Sequence, residues 1–138
     1  MENSRLKFRA WAKYSEMLPN IQNHIGNDKW AFGNMLKSDE FVVMQYTGLK
    51  DKKGKDIYHN DILKADKLDS NSKDWVGVID YNNYGGLCLF YKCYLNDGIM
   101  RSYQEPINDP QTAEWVINNC EVIGNIYENP ELLKDNKC

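Results

Sequence analysis

The stretch from Trp75 to Tyr103 constrains the fold of this chain more than any other part of it. Trp75, Gly77, Ile79 and Tyr81 alternate with Val76, Val78 and Asp80, and a period of two is the mark of a strand that buries one face. Asn82-Asn83-Tyr84-Gly85-Gly86 supplies residues that accept left-handed backbone and reads as a reversal. Leu87 to Leu95 returns, Asn96-Asp97-Gly98 turns again, and Ile99 to Tyr103 follows. Asp-Gly is a favoured hairpin corner because both positions tolerate positive φ. The expected unit is a meander of three antiparallel strands.

Arg5 to Trp11 also alternates, with Leu6, Phe8 and Ala10 on one face and three cations on the other, and predicts a half-buried strand. Glu40 to Thr47, rich in β-branched and aromatic residues, predicts a second strand that Gly48 ends. Between them, Pro19, Gly26 and Gly33 break any period, so residues 17–38 read as an irregular connector. Lys50 to Lys55 is a polar surface turn around Gly54. Asp56-Ile57-Tyr58 is extended, His59-Asn60-Asp61 turns, and Ile62-Leu63 with Ala65 forms another apolar edge. Residues 66–74 have the makeup of an exposed loop.

A short helix is expected after Pro106, with Asp109 as cap, Pro110 in the first turn, and Ala113, Val116 and Ile117 sharing one face. Cys120 to Tyr127 reads as a last strand, and Asn129 caps one turn over Pro130 to Leu133. Residues 134–138 read as a frayed tail. With no internal repeat and no long linker, residues 1–138 form one domain. Its class is mainly β (α+β), a small curved antiparallel sheet or partly open barrel with one or two short helices near the C-terminus.

Composition narrows the classes further. At 42% hydrophobic, 27% charged and 12% aromatic, the chain is globular, with material for one modest core. No apolar run approaches the length of a membrane span and the first residues lack a secretory apolar stretch, which implies a cytoplasmic protein without membrane contact. The net charge of −3 conceals opposite halves: residues 1–55 carry ten Lys and Arg against six Asp and Glu, and residues 56–138 carry seven against fourteen. Cys88, Cys93, Cys120 and Cys138 are expected to be free thiols. Neither they nor His24 and His59 show the paired spacing of a zinc site, so no metal and no cofactor is assigned.

Three segments resemble a known family. They are Lys7-Phe8-Arg9-Ala10-Trp11; Met44 to Tyr58 (MQYTGLKDKKGKDIY) followed by Asp61-Ile62; and Glu121 to Leu133 (EVIGNIYENPELL). In this order they are similar to the YopX family of small phage- and prophage-encoded proteins. Where that family commonly has an acidic residue and a glycine after the tyrosine, this chain has His59 and Asn60; Asn also tolerates left-handed backbone, which preserves the turn. The resemblance implies a β-rich fold, a phage origin and a bacterial cytoplasm as the site of action, and it implies no reaction.

Asp51, Asp56 and Asp61 recur around His59 at five-residue spacing, the raw material of an acid–base pair, yet Asp and His are ordinary turn residues and no nucleophile motif or phosphate cradle accompanies them. No catalytic residue is assigned. The lysines at 50, 52, 53 and 55 beside Tyr46 and Tyr58 suggest a single-stranded nucleic-acid-binding β barrel as one alternative, against which the acidic balance counts. An acidic inhibitor of a host defence nuclease is another, resting on the charge of residues 56–138. The preferred reading is a non-enzymatic protein-interaction module acting on a host or phage protein or assembling with itself. Its expected surface comprises Lys50, Lys52, Lys53, Lys55, Tyr58, Tyr84 and Tyr91, because exposed tyrosines favour interfaces.

Overall fold

The structure is a computed structural model that describes residues 6–13, 15–65, 75–94 and 100–133. The expected loop at 66–74, the Asp97-Gly98 corner and the tail at 134–138 lie outside the described residues. Contacts gather in two compact units, Met1–Gly48 and Leu49–Cys138. The fold is mainly β, with antiparallel pairing and two α-helices.

In the first unit β1 (Phe8–Ala12) lies between β2 (Glu16–Leu18) and β3 (Phe41–Lys50). Ala10 faces Leu18 on one side and Val43 on the other. The alternation holds for Phe8 and Ala10 and not for Leu6: Ala10 and Ala12 are buried with Ile21, Met35 and Phe41, and Phe8 packs on the same cluster, whereas Leu6 precedes the strand and is exposed. Two other expectations change here. Residues 17–38 are more than a connector, for they hold the end of β2, a 3₁₀ turn at Ile21–Asn23 and the single-turn helix α1 (Phe32–Met35). Ile21 and Met35 are two of the most deeply buried residues, so apolar anchoring organises a segment that lacks periodicity. Gly48 does not end β3; at φ +87° it lets the strand bend and run on to Lys50.

The second unit carries β4 (Asp56–Tyr58), β5 (Asp61–Ala65), β6 (Trp75–Tyr81), β7 (Leu87–Tyr94), β8 (Met100–Pro106), α2 (Pro110–Asn119) and β9 (Cys120–Asn125). Five of these strands form one antiparallel sheet in the order β8-β7-β6-β5-β9. The meander is present as its β6-β7-β8 portion. Ile57, Leu63, Ala65, Ile79, Leu89, Ile107, Val116, Cys120 and Val122 make its apolar cluster. Where composition led to one core, the described residues thus contain two clusters.

Helix α2 starts as its sequence dictates: Asp109 Oδ2 accepts the Thr112 N–H at 3.1 Å, and Pro110 occupies the first turn. The buried stripe is centred on Val116 with Trp115 against the cluster, and Ile117, about 100° further round the helix, is exposed instead of sharing that face. Asn60 sits at φ +72°, the left-handed turn expected of it. There its N–H donates to the Ile79 carbonyl at 2.7 Å and its own carbonyl accepts from Ile126 at 3.1 Å. Asp61 Oδ2 closes the same turn by accepting from Tyr58 N–H at 2.7 Å.

Asn129 also differs from expectation. Its side chain turns back, and Oδ1 accepts from Asn125 N–H at 3.3 Å instead of capping the 3₁₀ turn Pro130–Leu133. The amide sits over Gly124, where a Cβ would come within 2.6 Å of the Asn129 Cγ. The requirement at position 124 is therefore space. Gly124→Ala is expected to destabilise the protein by about 1–3 kcal/mol, the usual magnitude for overpacking, and Asn129→Ala added to it should recover part of that loss. A urea-unfolding double-mutant cycle measures both.

Asp51 holds the far edge of the sheet. Its carboxylate accepts from Lys53 N–H at 2.9 Å, Lys55 N–H at 2.8 Å and Val122 N–H at 2.9 Å. Gly54, at φ +85°, closes the turn by donating to the Asp51 carbonyl at 2.9 Å. Burial alone would raise this carboxyl's pKa; the N–H groups of Val122, Lys55 and Lys53, with the Lys55 charge, outweigh it and hold the pKa below 3.8. A depressed carboxyl pKa contributes stability that is complete above the unfolded value and is lost as pH falls through the folded one. Asp51→Asn should therefore cost about 2–4 kcal/mol at neutral pH, as expected for charge-assisted bonds to buried donors. The gap between mutant and wild type should narrow in acid, below pH 3.8, which denaturant unfolding across a pH series will show.

Candidate interaction surface

A groove of about 460 Å³ opens on the second unit, lined by Asp80, Tyr81, Asn82, Asn83, Phe90, Ser102, Tyr103 and Gln104. Strand pairing explains the assembly. Phe90 on β7 lies opposite Val78 on β6 and Gln104 on β8, which brings alternate residues of neighbouring strands onto one face. The β6–β7 reversal supplies the rest. Asn82 Oδ1 accepts from Tyr84 N–H at 2.9 Å and Gly86 N–H at 3.0 Å, and Gly85 takes φ +83°. This side chain holds the loop in a shape that leaves Tyr84 96% exposed.

His59 supports the groove from one side. Its Nε2 lies 2.9 Å from Asp80 Oδ1, and its ring lies 4.4 Å from that of Tyr81. Asp80 Oδ1 also accepts the Tyr81 N–H at 2.8 Å. Burial and then the Asp80 charge raise the Tyr81 phenol, which keeps it a neutral hydroxyl at neutral pH. A histidine and a carboxylate in contact are chemically able to exchange a proton. Here the pair braces the end of β6, and the carboxylate involved is not one of the spaced aspartates. Asp51 and Asp61 are buried in turn-closing bonds, and Asp56 meets Lys50 at 2.6 Å.

The residues expected to form the surface differ in exposure and in the contacts they make. Lys50 pairs with Asp56, and Lys53 Nζ reaches Glu121 at 2.8 Å; Lys52 and Lys55 are exposed, with the Lys52 N–H donated to the Cys120 carbonyl. Tyr58 is buried, with 9% of its surface exposed. Tyr46 is buried too, with Lys7 Nζ 4.7 Å from its ring centre. Tyr91 is half-buried, stacked on Tyr103 at 5.2 Å, and its hydroxyl pKa is raised by burial, Glu105 and Tyr103. Tyr84 alone of the three named tyrosines is fully exposed. The groove residues Asn82, Asn83, Ser102 and Gln104 were not singled out. The signal that would have found the last two is their i, i+2 spacing on β8, on the face shared with Phe90.

Cys88 and Cys120 are buried free thiols, and burial, against Lys52 and with Asp51, pushes Cys120 up to about 12. Among the described residues no cluster of three or more His, Cys, Asp or Glu side chains is placed to hold a metal ion, and no helix is long and apolar enough to cross a membrane.

Comparison with known proteins gives the chain its relatives. The crystal structure of protein EF1440 from Enterococcus faecalis superposes with a TM-score of 0.53 and 28% sequence identity, over 93% of this chain and 97% of that one. No curated protein matches the sequence. The family model described as YopX protein matches residues 7–134, and with nearly its whole length covered the chain belongs to the YopX family.

Proposed function

We propose that this protein is a non-catalytic interaction module, active in the cytoplasm of a bacterial host on behalf of a phage or prophage, that takes a segment of another protein into the groove beside Tyr84. One observation carries the reading: three aromatic residues, Tyr81, Phe90 and Tyr103, line the groove with Asn82, Asn83, Ser102 and Gln104, whose side chains are neutral, and among the described residues no cation lines it. Aromatic rings with adaptable amides and hydroxyls are what protein-binding surfaces present. A groove that follows a nucleic-acid backbone needs Lys and Arg along its length. The engagement of Lys50 and Lys53 with acidic neighbours weakens the nucleic-acid alternative further. The absence of a catalytic assignment is supported by the structural use made of Asp51 and Asp61.

Tyr81→Ala and Tyr84→Ala, made together, should weaken capture of a specific host or phage protein by at least about tenfold, the scale of losing one interface anchor. Lys52→Gln with Lys55→Gln should leave it unchanged. Affinity purification from infected or lysogenic cells with quantitative mass spectrometry makes the comparison. Salt-sensitive binding of oligonucleotides that the lysine variants abolish would overturn the proposal.

A further inference from the structure

The two edges of the five-stranded sheet are treated differently. On β9 the outward main-chain groups are already engaged: Lys52 N–H donates to the Cys120 carbonyl at 2.9 Å, Val122 N–H to Asp51, and Asn125 N–H to Asn129. The opposite edge is β8. Ile107 N–H donates to the Leu87 carbonyl at 3.2 Å, which sets the phase of the ladder in the register Cys88↔Pro106 to Tyr94↔Met100. Residues 101, 103 and 105 therefore bond to β7, and residues 100, 102, 104 and 106 direct their main-chain groups outward. Pro106 agrees with this phase, since it occupies a position where an N–H would face away from the ladder. Among the described residues nothing pairs with Ser102 and Gln104, both exposed, and they are left as an open edge.

Open edges invite another strand, and the sequence of this one says which. Arg101-Ser102-Tyr103-Gln104-Glu105 has opposite charges equidistant from its centre, so it complements itself when run antiparallel. We propose that β8 pairs with β8 of a second copy of this chain about a two-fold axis through Tyr103, joining the two sheets into one. This goes beyond the groove reading, because it uses the main chain of β8 and not the occupancy of the groove.

In that register Ser102 and Gln104 exchange both main-chain hydrogen bonds with Gln104 and Ser102 of the second copy, in accord with their outward phase. Position 101, an arginine, falls opposite position 105, a glutamate, on both sides of the axis. Tyr103, half-buried and stacked on Tyr91 at 5.2 Å, meets its own symmetry mate at the close, non-hydrogen-bonded spacing, so the aromatic row crosses the axis. Sliding the axis to Gln104 would bring Pro106, which has no N–H, opposite Ser102, and would set Tyr103 against Glu105. Sliding it to Ser102 separates the charges from their partners. The contact is isologous, as two-fold pairing requires, and small, so the dimer is reversible and concentration-dependent.

Sedimentation velocity and light scattering over a dilution series test this on the full chain. Wild type should move from monomer towards dimer as concentration rises through the micromolar range. Gln104→Pro removes an outward N–H and no bond of the β7–β8 ladder; it should raise the dissociation constant by at least about tenfold with the circular dichroism unchanged. Arg101→Glu should weaken the dimer and Arg101→Glu with Glu105→Arg should restore it, an arm that decides the matter even if the proline variant misfolds. A wild type that stays monomeric throughout, or an assembly indifferent to the charge reversal and its swap, would overturn the proposal. The groove reading is scored separately, by partner capture with the Tyr81 and Tyr84 variants.

Discussion

A single carboxylate organises the second unit. Asp51 is 4% exposed, and burying a charge there is tolerable because three N–H groups surround it. Two of these come from its own turn and the third from Val122, 71 residues later in the chain. One interaction thus fixes a local reversal and pins the last strand beside it. It also takes up an outward donor of β9, while the neighbouring Lys52 N–H takes up an outward acceptor. A sheet finished in this way on one side has its remaining capacity for pairing on the other.

The same device recurs on a smaller scale. Asn82 shapes the β6–β7 loop, Asn125 Oδ1 accepts from Tyr127 and Glu128 N–H at 3.0 and 2.9 Å, and Asn129 reaches back to Asn125. Side-chain oxygens standing in for main-chain partners let short loops turn sharply without leaving buried donors unpaired. Many of the polar residues in this chain are committed to its own backbone. The ones left facing a groove, Asn83, Ser102 and Gln104, are neutral.

Much of the fold was legible in the residues. The meander, the Asp109–Pro110 helix start and the left-handed turn at Asn60 follow from local rules that need no tertiary information. The errors share a cause. Gly48 and Asn129 have local preferences for ending a strand and capping a turn, and the structure uses one to bend β3 and the other to bond Asn125 over Gly124. Ile21 and Met35 sit in a segment with no period, and their burial is decided by what surrounds them. The surface was read less well, because a lysine in sequence carries no mark of the acid it will meet. Glu121 lies 68 positions from Lys53, and nothing in a linear reading joins them.

Recognition by such a surface has a physical character of its own. Neutral amides, hydroxyls and aromatic rings act only at contact, so they select by shape and hydrogen-bond geometry, whereas charge acts over roughly 8–10 Å at ordinary salt. Among the described residues the lysines at the turn are partly compensated and the groove lining holds one carboxylate, Asp80, so these residues add little long-range steering. Discrimination then depends on how rigidly the lining is held. Asn82 through its loop bonds and His59 through Asp80 and the Tyr81 ring hold the polar wall in place, and under the proposed function that would reduce the ordering entropy lost on binding. The His59 imidazole thus acts as a support, through Asp80 and the Tyr81 ring and not through the spaced aspartates.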